Sequence, residues 1–333
     1  MRRRRFRSPS IVPAIALIAA LTAAVAWPAQ AQTGIAKEGA LFLLVPVGAR
    51  PIAQGQAAVA SRLGADGIWW NPAALGWEKR REMSVDHAKN AFITGDAVDV
   101  VLPAGRAGVV GASLLYFNFG DQAATDEFGN TIGTIYSRAI VLAGAYAATF
   151  GDRVSAGLAY KFIEQAQTCG GACQNQTTFT VSTSAVDFGV HVVVDQDRRL
   201  TLGGAIRNVG FGLQTIDREQ TDALPARIHL GADYNVGAIT RAIPSATLHA
   251  AAEVVSRIVP SSPAVRVGAE LGLAERVFLR AGAFTASGDG SRASIGFGIR
   301  QGTLGLDFAR TFGGISADAG EPPTYVSLRI AFR

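Results

Sequence analysis

The residues able to do acid–base or ionic chemistry fall at the spacing of β-strands. They are Asp187, His191, Arg207, Arg227, His229, Asp233, His249, Glu253, Arg266, Glu270, Arg280, Asp307 and Arg329. A hydrolase would need a base within hydrogen-bond reach of an orienting carboxylate. His229 and Asp233 share a strand face but lie about 13 Å apart along it, too far for that bond. No nucleophile–base pair stands out, so an enzyme is not expected. Both charge signs on one face predict a salt-bridged interior, with ligand gating or selectivity as a second role for some members. Cys169 and Cys173, in "TCGGACQ", are expected to form a disulfide across a Gly-Gly turn if the chain is exported. Two thiolates with no nearby partner do not make a metal site. "GFGIRQG" (Gly296 to Gly302) has strand context and no following helix, so it is not a dinucleotide loop. No cofactor and no metal are implied.

The elements that must position these residues show in "PARIHLGADYNVG". Ala226, Ile228, Leu230, Ala232, Tyr234 and Val236 alternate with Arg227, His229, Gly231, Asp233 and Asn235. Successive strand side chains point to opposite faces, so one face is apolar and the other polar. The pattern recurs in Thr247–Val254, Val265–Leu273, Arg292–Arg300 and Tyr325–Arg333. About fourteen strands follow, near 82–89, 93–103, 108–119, 135–149, 153–166, 178–194, 199–209, 225–236, 245–255, 264–273, 276–286, 292–300, 303–312 and 324–333. Most reach the 9–11 residues of a tilted membrane strand. Short links such as "FGDR" and "RQGT" alternate with long ones such as "GDQAATDEFGNTIG" and "GFGLQTIDREQTDAL", as at the two rims of an outer-membrane barrel.

A soluble sandwich would also alternate. Here the polar faces carry glycine and arginine, and only Lys37, Lys79, Lys89 and Lys161 are lysines. A soluble barrel of this many strands would enclose a lumen too wide for side chains to fill. The chain opens with "MRRRRFRS", an apolar run from Ile11 to Trp27 and Ala29-Gln30-Ala31, which read as a signal peptide over 1–31 cleaved before Gln32. An uncleaved anchor is the alternative, although the run falls short of a membrane span. Cleavage removes five arginines and no acid, so the formal charge falls from +5 to zero. That excludes the nucleic-acid partner a basic chain would suggest. The expected location is the bacterial outer membrane, with lipid as the first partner.

The stretch Val47–Leu75 lacks strand alternation. Asn71 can cap a helical turn that starts at Pro72, and Ala53–Ser61 is a second candidate helix. Three tryptophans (Trp69, Trp70, Trp77) argue for a packed segment, and the lumen is the place for it. This segment resembles the N-terminal region of the PorV/PorQ family, within the wider FadL-like group of outer-membrane barrels. The resemblance rests on Gly48-Ala49-Arg50, Gln54-Gly55, Ala57, Val59-Ala60, Asp66 and above all Trp70-Asn71-Pro72-Ala73, supported by "DEFGNTIGT", "SAVDFGV", "GGAIRNVG" and "LPARIHLGADY". Arg333 after Phe332 departs from the aromatic terminus common in barrel-assembly signals.

The expected fold is therefore all-β: a transmembrane antiparallel barrel of about fourteen strands (81–333), with a short N-terminal helical plug, or hatch, over 32–80. Gly48, Arg50, Gly55, Asp66, Trp70, Asn71 and Pro72 form the plug motif. The resemblance implies two roles. One is passive transport of small hydrophobic molecules, with the plug shifting and a lateral gap as a further route. The other is a PorV-like part in type IX protein secretion, binding secreted cargo at the cell surface. A structural envelope role is a third reading.

Overall fold

A computed structural model describes residues 38–173, 178–214, 221–258, 263–286 and 290–332. The signal sequence expected over 1–31 lies outside the described residues. The alternating stretches form β1 (Arg81–Lys89), β2 (Thr94–Pro103), β3 (Val109–Thr125), β4 (Thr131–Phe150), β5 (Val154–Gly171), β6 (Phe179–Val193) and β7 (Leu200–Gly210). A small hairpin, β8 (Leu213–Gln214) with β9 (Thr221–Asp222), decorates the next connection. Then come β10 (Arg227–Asn235), β11 (Ala246–Arg257), β12 (Ala264–Leu273), β13 (Val277–Ala286), β14 (Gly290–Gln301), β15 (Leu304–Phe312) and β16 (Thr324–Phe332). All but β8 and β9 join one closed antiparallel barrel of fourteen strands, sealed by β1 pairing with β16. Closure leaves no unpaired edge.

The register lines up the outward apolar side chains. Leu328 faces Val85, Val85 faces Val98, Val98 faces Leu114, Leu114 faces Leu142, and Leu142 faces Phe162. Each of these is at least 36% exposed, as are Leu230, Leu279, Phe297 and Leu306 further round. A continuous apolar belt of this kind is unfavourable in water and suits hydrocarbon.

β3, β4 and β5 run further than the alternation suggests. The sequence reading ends the third strand at 119, but β3 continues to Thr125 and pairs with β4 from Thr131. A bulge between Asn118 and Asp121, with Gly120 at φ 79°, breaks the phase and hides the continuation. Asp126 closes the hairpin, its Oδ1 accepting from the backbone N–H of Asn130 at 2.8 Å. Cys169 accordingly lies on β5 rather than in a loop, and its disulfide to Cys173 bridges the strand end.

The N-terminal segment threads the lumen lengthwise. Glu38 pairs with Ala223, Arg227 and Arg257 at the rim that carries the long connections. Trp77 ends the last helical turn (Pro72–Trp77) near the opposite rim, where β1 begins. The helix expected over Ala53–Ser61 is instead Ala49–Ala53; the positive φ of Gly55 (62°) and Gln56 (60°) ends it. The hydrophobic core of the protein lies inside the barrel. Ile52, Leu63, Ile68, Trp69, Trp70 and Leu75 are buried with Val101, Leu115, Phe117, Val141 and Ile163 of β2 to β5. On that side the inner face is largely apolar as well, broken by Asp99, Ser113 and Lys161, so the expectation of one polar face on every strand fails over much of it. Apolar plug residues need an apolar wall.

Candidate functional site: the plug seat and the cavity beside it

The wall opposite that apolar half holds the plug by charge. Glu253, 1% exposed on β11, accepts from the backbone N–H groups of Ala58 (2.7 Å) and Val59 (2.8 Å). His229 Nδ1 lies 2.7 Å from its other oxygen, and Arg266 donates to the same oxygen at 3.2 Å. Asp233 accepts from Ser61 Oγ at 2.6 Å and contacts His249 Nδ1 at 2.9 Å. His191 Nε2 meets the Val59 carbonyl at 2.8 Å. A second chain of ions crosses from plug to wall. Arg50 forms two parallel bonds to Glu270, both 2.9 Å, and Arg280 bridges Glu270 (2.5 Å) to Asp307 (2.6 Å). Arg329 links Asp307 (3.1 Å), the Leu63 carbonyl (2.7 Å) and Asp66. Such buried pairs add little net stability, but removing one partner costs about 3–5 kcal/mol. They fix where the plug rests.

Shape contributes as much. Asn71 caps the turn at Pro72, its Oδ1 accepting from Ala73 N–H at 3.0 Å while Nδ2 donates to the Val59 carbonyl at 2.7 Å. A Cβ at Gly157 of β5 would lie 2.5 Å from the Pro72 carbonyl carbon. The inner glycines Gly268 and Gly282 meet the backbone of Gln54 and Gly55 in the same way. Wall glycines therefore form the socket for Gly55 and Pro72. Gly48 has φ 86°, and a side chain there would strike Asp66. Trp70 Nε1 donates to the Val47 carbonyl at 2.8 Å.

All the lumen candidates point inward, but their contacts divide them. Arg50, Glu253, Asp233, His191, Glu270 and Arg329 touch across the plug–wall boundary, and Arg280 and Asp307 connect them. Asp187 pairs with Lys161 at 2.6 Å, both fully buried, and Lys161 also lies over the Trp69 ring. Lys161 and Asn208 were missed from the sequence. A single lysine flanked at period two by Ala159 and Ile163 was the available signal. Also missed were Glu82, Ser84, Asp86 and Asp99, whose period-two placement on β1 and β2 was the clue.

A cavity of about 400 Å³ lies in the half of the lumen nearer the long connections. Leu43, Val45, Val47, Trp69, Trp70, Leu115, Val255 and Phe284 supply its apolar lining; Arg207, Arg227, Arg257 and Arg266 supply cations. Arg227 is tied to Glu38 by two bonds of 2.8 Å, and those bonds hold the Glu38 carboxyl below its ordinary pKa. Arg207 and Arg266 stack over the Trp70 ring at 5.7 and 5.9 Å. The Nε of each has no hydrogen-bond partner among the described residues.

No protein-family model and no curated protein matches the sequence. Solved structures do match. The toluene transporter TbuX of Ralstonia pickettii superposes with a TM-score of 0.57 at 12% identity, covering 86% of this chain and 98% of its own. The CymD monoaromatic hydrocarbon channel gives 0.60 at 12% identity over 87% and 98%. A FadL homologue of Pseudomonas aeruginosa gives 0.52 at 12% identity over 86% and 98%. At these identities the likeness is one of fold alone. These structures lend no support to the narrower PorV/PorQ assignment or to a secretion role.

Proposed function

We propose that the protein is an outer-membrane channel that admits small hydrophobic molecules to its lumen and passes them by diffusion past the N-terminal plug. The observation that carries this reading is the 400 Å³ cavity between plug and wall, lined about equally by apolar and polar surface and of a size for a small ligand. The transport named for TbuX and CymD supports the same direction. Arg207 and Arg266 refine it. Their unpartnered Nε groups beside Trp70 favour an aromatic or aliphatic body bearing one acceptor group over a bare hydrocarbon.

The test uses purified protein in detergent and then in liposomes, with quenching of tryptophan fluorescence by naphthalene and by 2-naphthoate. Saturable quenching by both is expected, tighter for naphthoate, with the difference lost in Arg207→Leu. The reading fails if neither compound binds and deletion of residues 38–75 leaves the permeability of the liposomes unchanged.

A further inference from the structure

Where the plug meets β1 and β2, three carboxylates converge: Asp66 of the plug, Asp86 of β1 and Asp99 of β2. One oxygen of each lies within 4.8 Å of the others, and the three residues are 0, 5 and 0% exposed. Among the described residues, Arg329 is the one cation in ion-pair contact with any of them, through Asp66, and it is shared with Asp307 and Glu82. Three buried carboxylates at this spacing cannot all be ionised unless positive charge lies among them. A separate observation points to what is held there. Asp66 Oδ1 and Asp86 Oδ2 are buried with no hydrogen-bond partner, and so is Ser113 Oγ, whose residue pairs directly with Asp99 across β2 and β3. The remaining oxygens are occupied: Asp99 accepts from Trp69 Nε1 (2.9 Å) and Ser84 Oγ (3.2 Å), and Asp86 from Ser327. Two carboxylate oxygens of the trio and the hydroxyl of a residue paired with its third member are thus left unused in the joint between plug and wall.

We propose that Asp66, Asp86 and Asp99 bind one calcium-class divalent cation, which staples the plug to β1 and β2. The ligand atoms are all oxygen, the donor set of a hard cation, with no imidazole or thiolate to favour zinc or copper. Oxygens within 4.8 Å of one another lie no more than about 2.8 Å from a common centre, so a small inward shift reaches the 2.3–2.6 Å of Ca²⁺–oxygen bonds, and Ser113, paired with Asp99, is the candidate neutral ligand. Because one ligand belongs to the plug and two to the wall, occupancy stabilises the seated plug. Removal of the ion leaves like charges facing across the joint.

Trp69 makes the site measurable, since its indole donates to Asp99 and lies where it can sensitise a lanthanide. The full-length processed protein in detergent, stripped with chelator at neutral pH, is titrated with Tb³⁺ under tryptophan excitation and then with Ca²⁺. Expected are saturable emission at one Tb³⁺ per chain, displacement by Ca²⁺, and one retained Ca²⁺ by elemental analysis after desalting. Asp86→Asn with Asp99→Asn should weaken binding at least a hundredfold. If that variant does not fold, Trp69→Phe serves instead: it should lose the emission while retaining the Ca²⁺. The proposal is overturned if wild-type protein retains no divalent cation and gives no emission, which would mean that protons neutralise the trio. It is also overturned if the double variant binds as the wild type does, or if emission survives in Trp69→Phe.

Discussion

Replacing Glu253 by alanine tests whether the charged wall, rather than apolar packing alone, keeps the plug in place. The carboxylate receives two plug backbone N–H groups, at 2.7 and 2.8 Å, while its other oxygen faces His229 and Arg266. Each backbone group orphaned in a buried site costs about 1–3 kcal/mol. Truncating one member of a buried ion pair costs about 3–5 kcal/mol in all. The wall ladder of β10, β11 and β12 is untouched, so most of that loss falls on plug docking. A loss of about 3 kcal/mol changes the ratio of seated to displaced plug on the order of a hundredfold. Glu253→Gln, which keeps the shape and one acceptor, should lose about half as much free energy. The assay is single-channel recording in planar bilayers, where displacement appears as more frequent conducting bursts; melting in detergent checks that the barrel is intact. If Glu253→Ala opens no more often than wild type while the barrel remains folded, the electrostatic account of plug seating is wrong.

Two further predictions follow from shape and from the belt. Gly157→Val should displace the turn at Pro72, because even its Cβ would stand 2.5 Å from the Pro72 carbonyl carbon; the readout is protease cleavage within residues 38–80 of an otherwise folded barrel, and full protection would refute the socket. Leu230→Arg, at a side chain 58% exposed on the outer face, should cost about 2–4 kcal/mol if it lies near the bilayer centre; reversible urea unfolding from liposomes measures it, and no loss would place Leu230 outside hydrocarbon.

The barrel was legible because one rule, period two, repeats in nearly every strand. "PARIHLGADYNVG" alone gives the inward set Arg227, His229 and Asp233, and the register confirms their common face. The rule failed where physics removes its contrast. In β3 to β5 much of the inner face is apolar too, because Leu115, Phe117 and Ile163 pack against the plug. At Gly120 a bulge resets the phase, so the outer part of β3 reads as loop. The plug motif at Asn71-Pro72 was visible through capping chemistry, whereas the partners of Asp66 were not. Arg329 lies 263 residues along the chain from Asp66, and nothing local shows that a threaded segment brings them together. The glycines of the inner face stood out by composition, but their reason, the approach of Gln54, Gly55 and Pro72, needs the third dimension.

The segment that fills the lumen is fastened at both ends. At one rim the Glu38 carboxylate grips Arg227 and Arg257; at the other the chain runs straight into the first strand. A cord secured at both mouths of a tube cannot be ejected like a stopper. Any passage must open alongside it, by slack between the two fastenings.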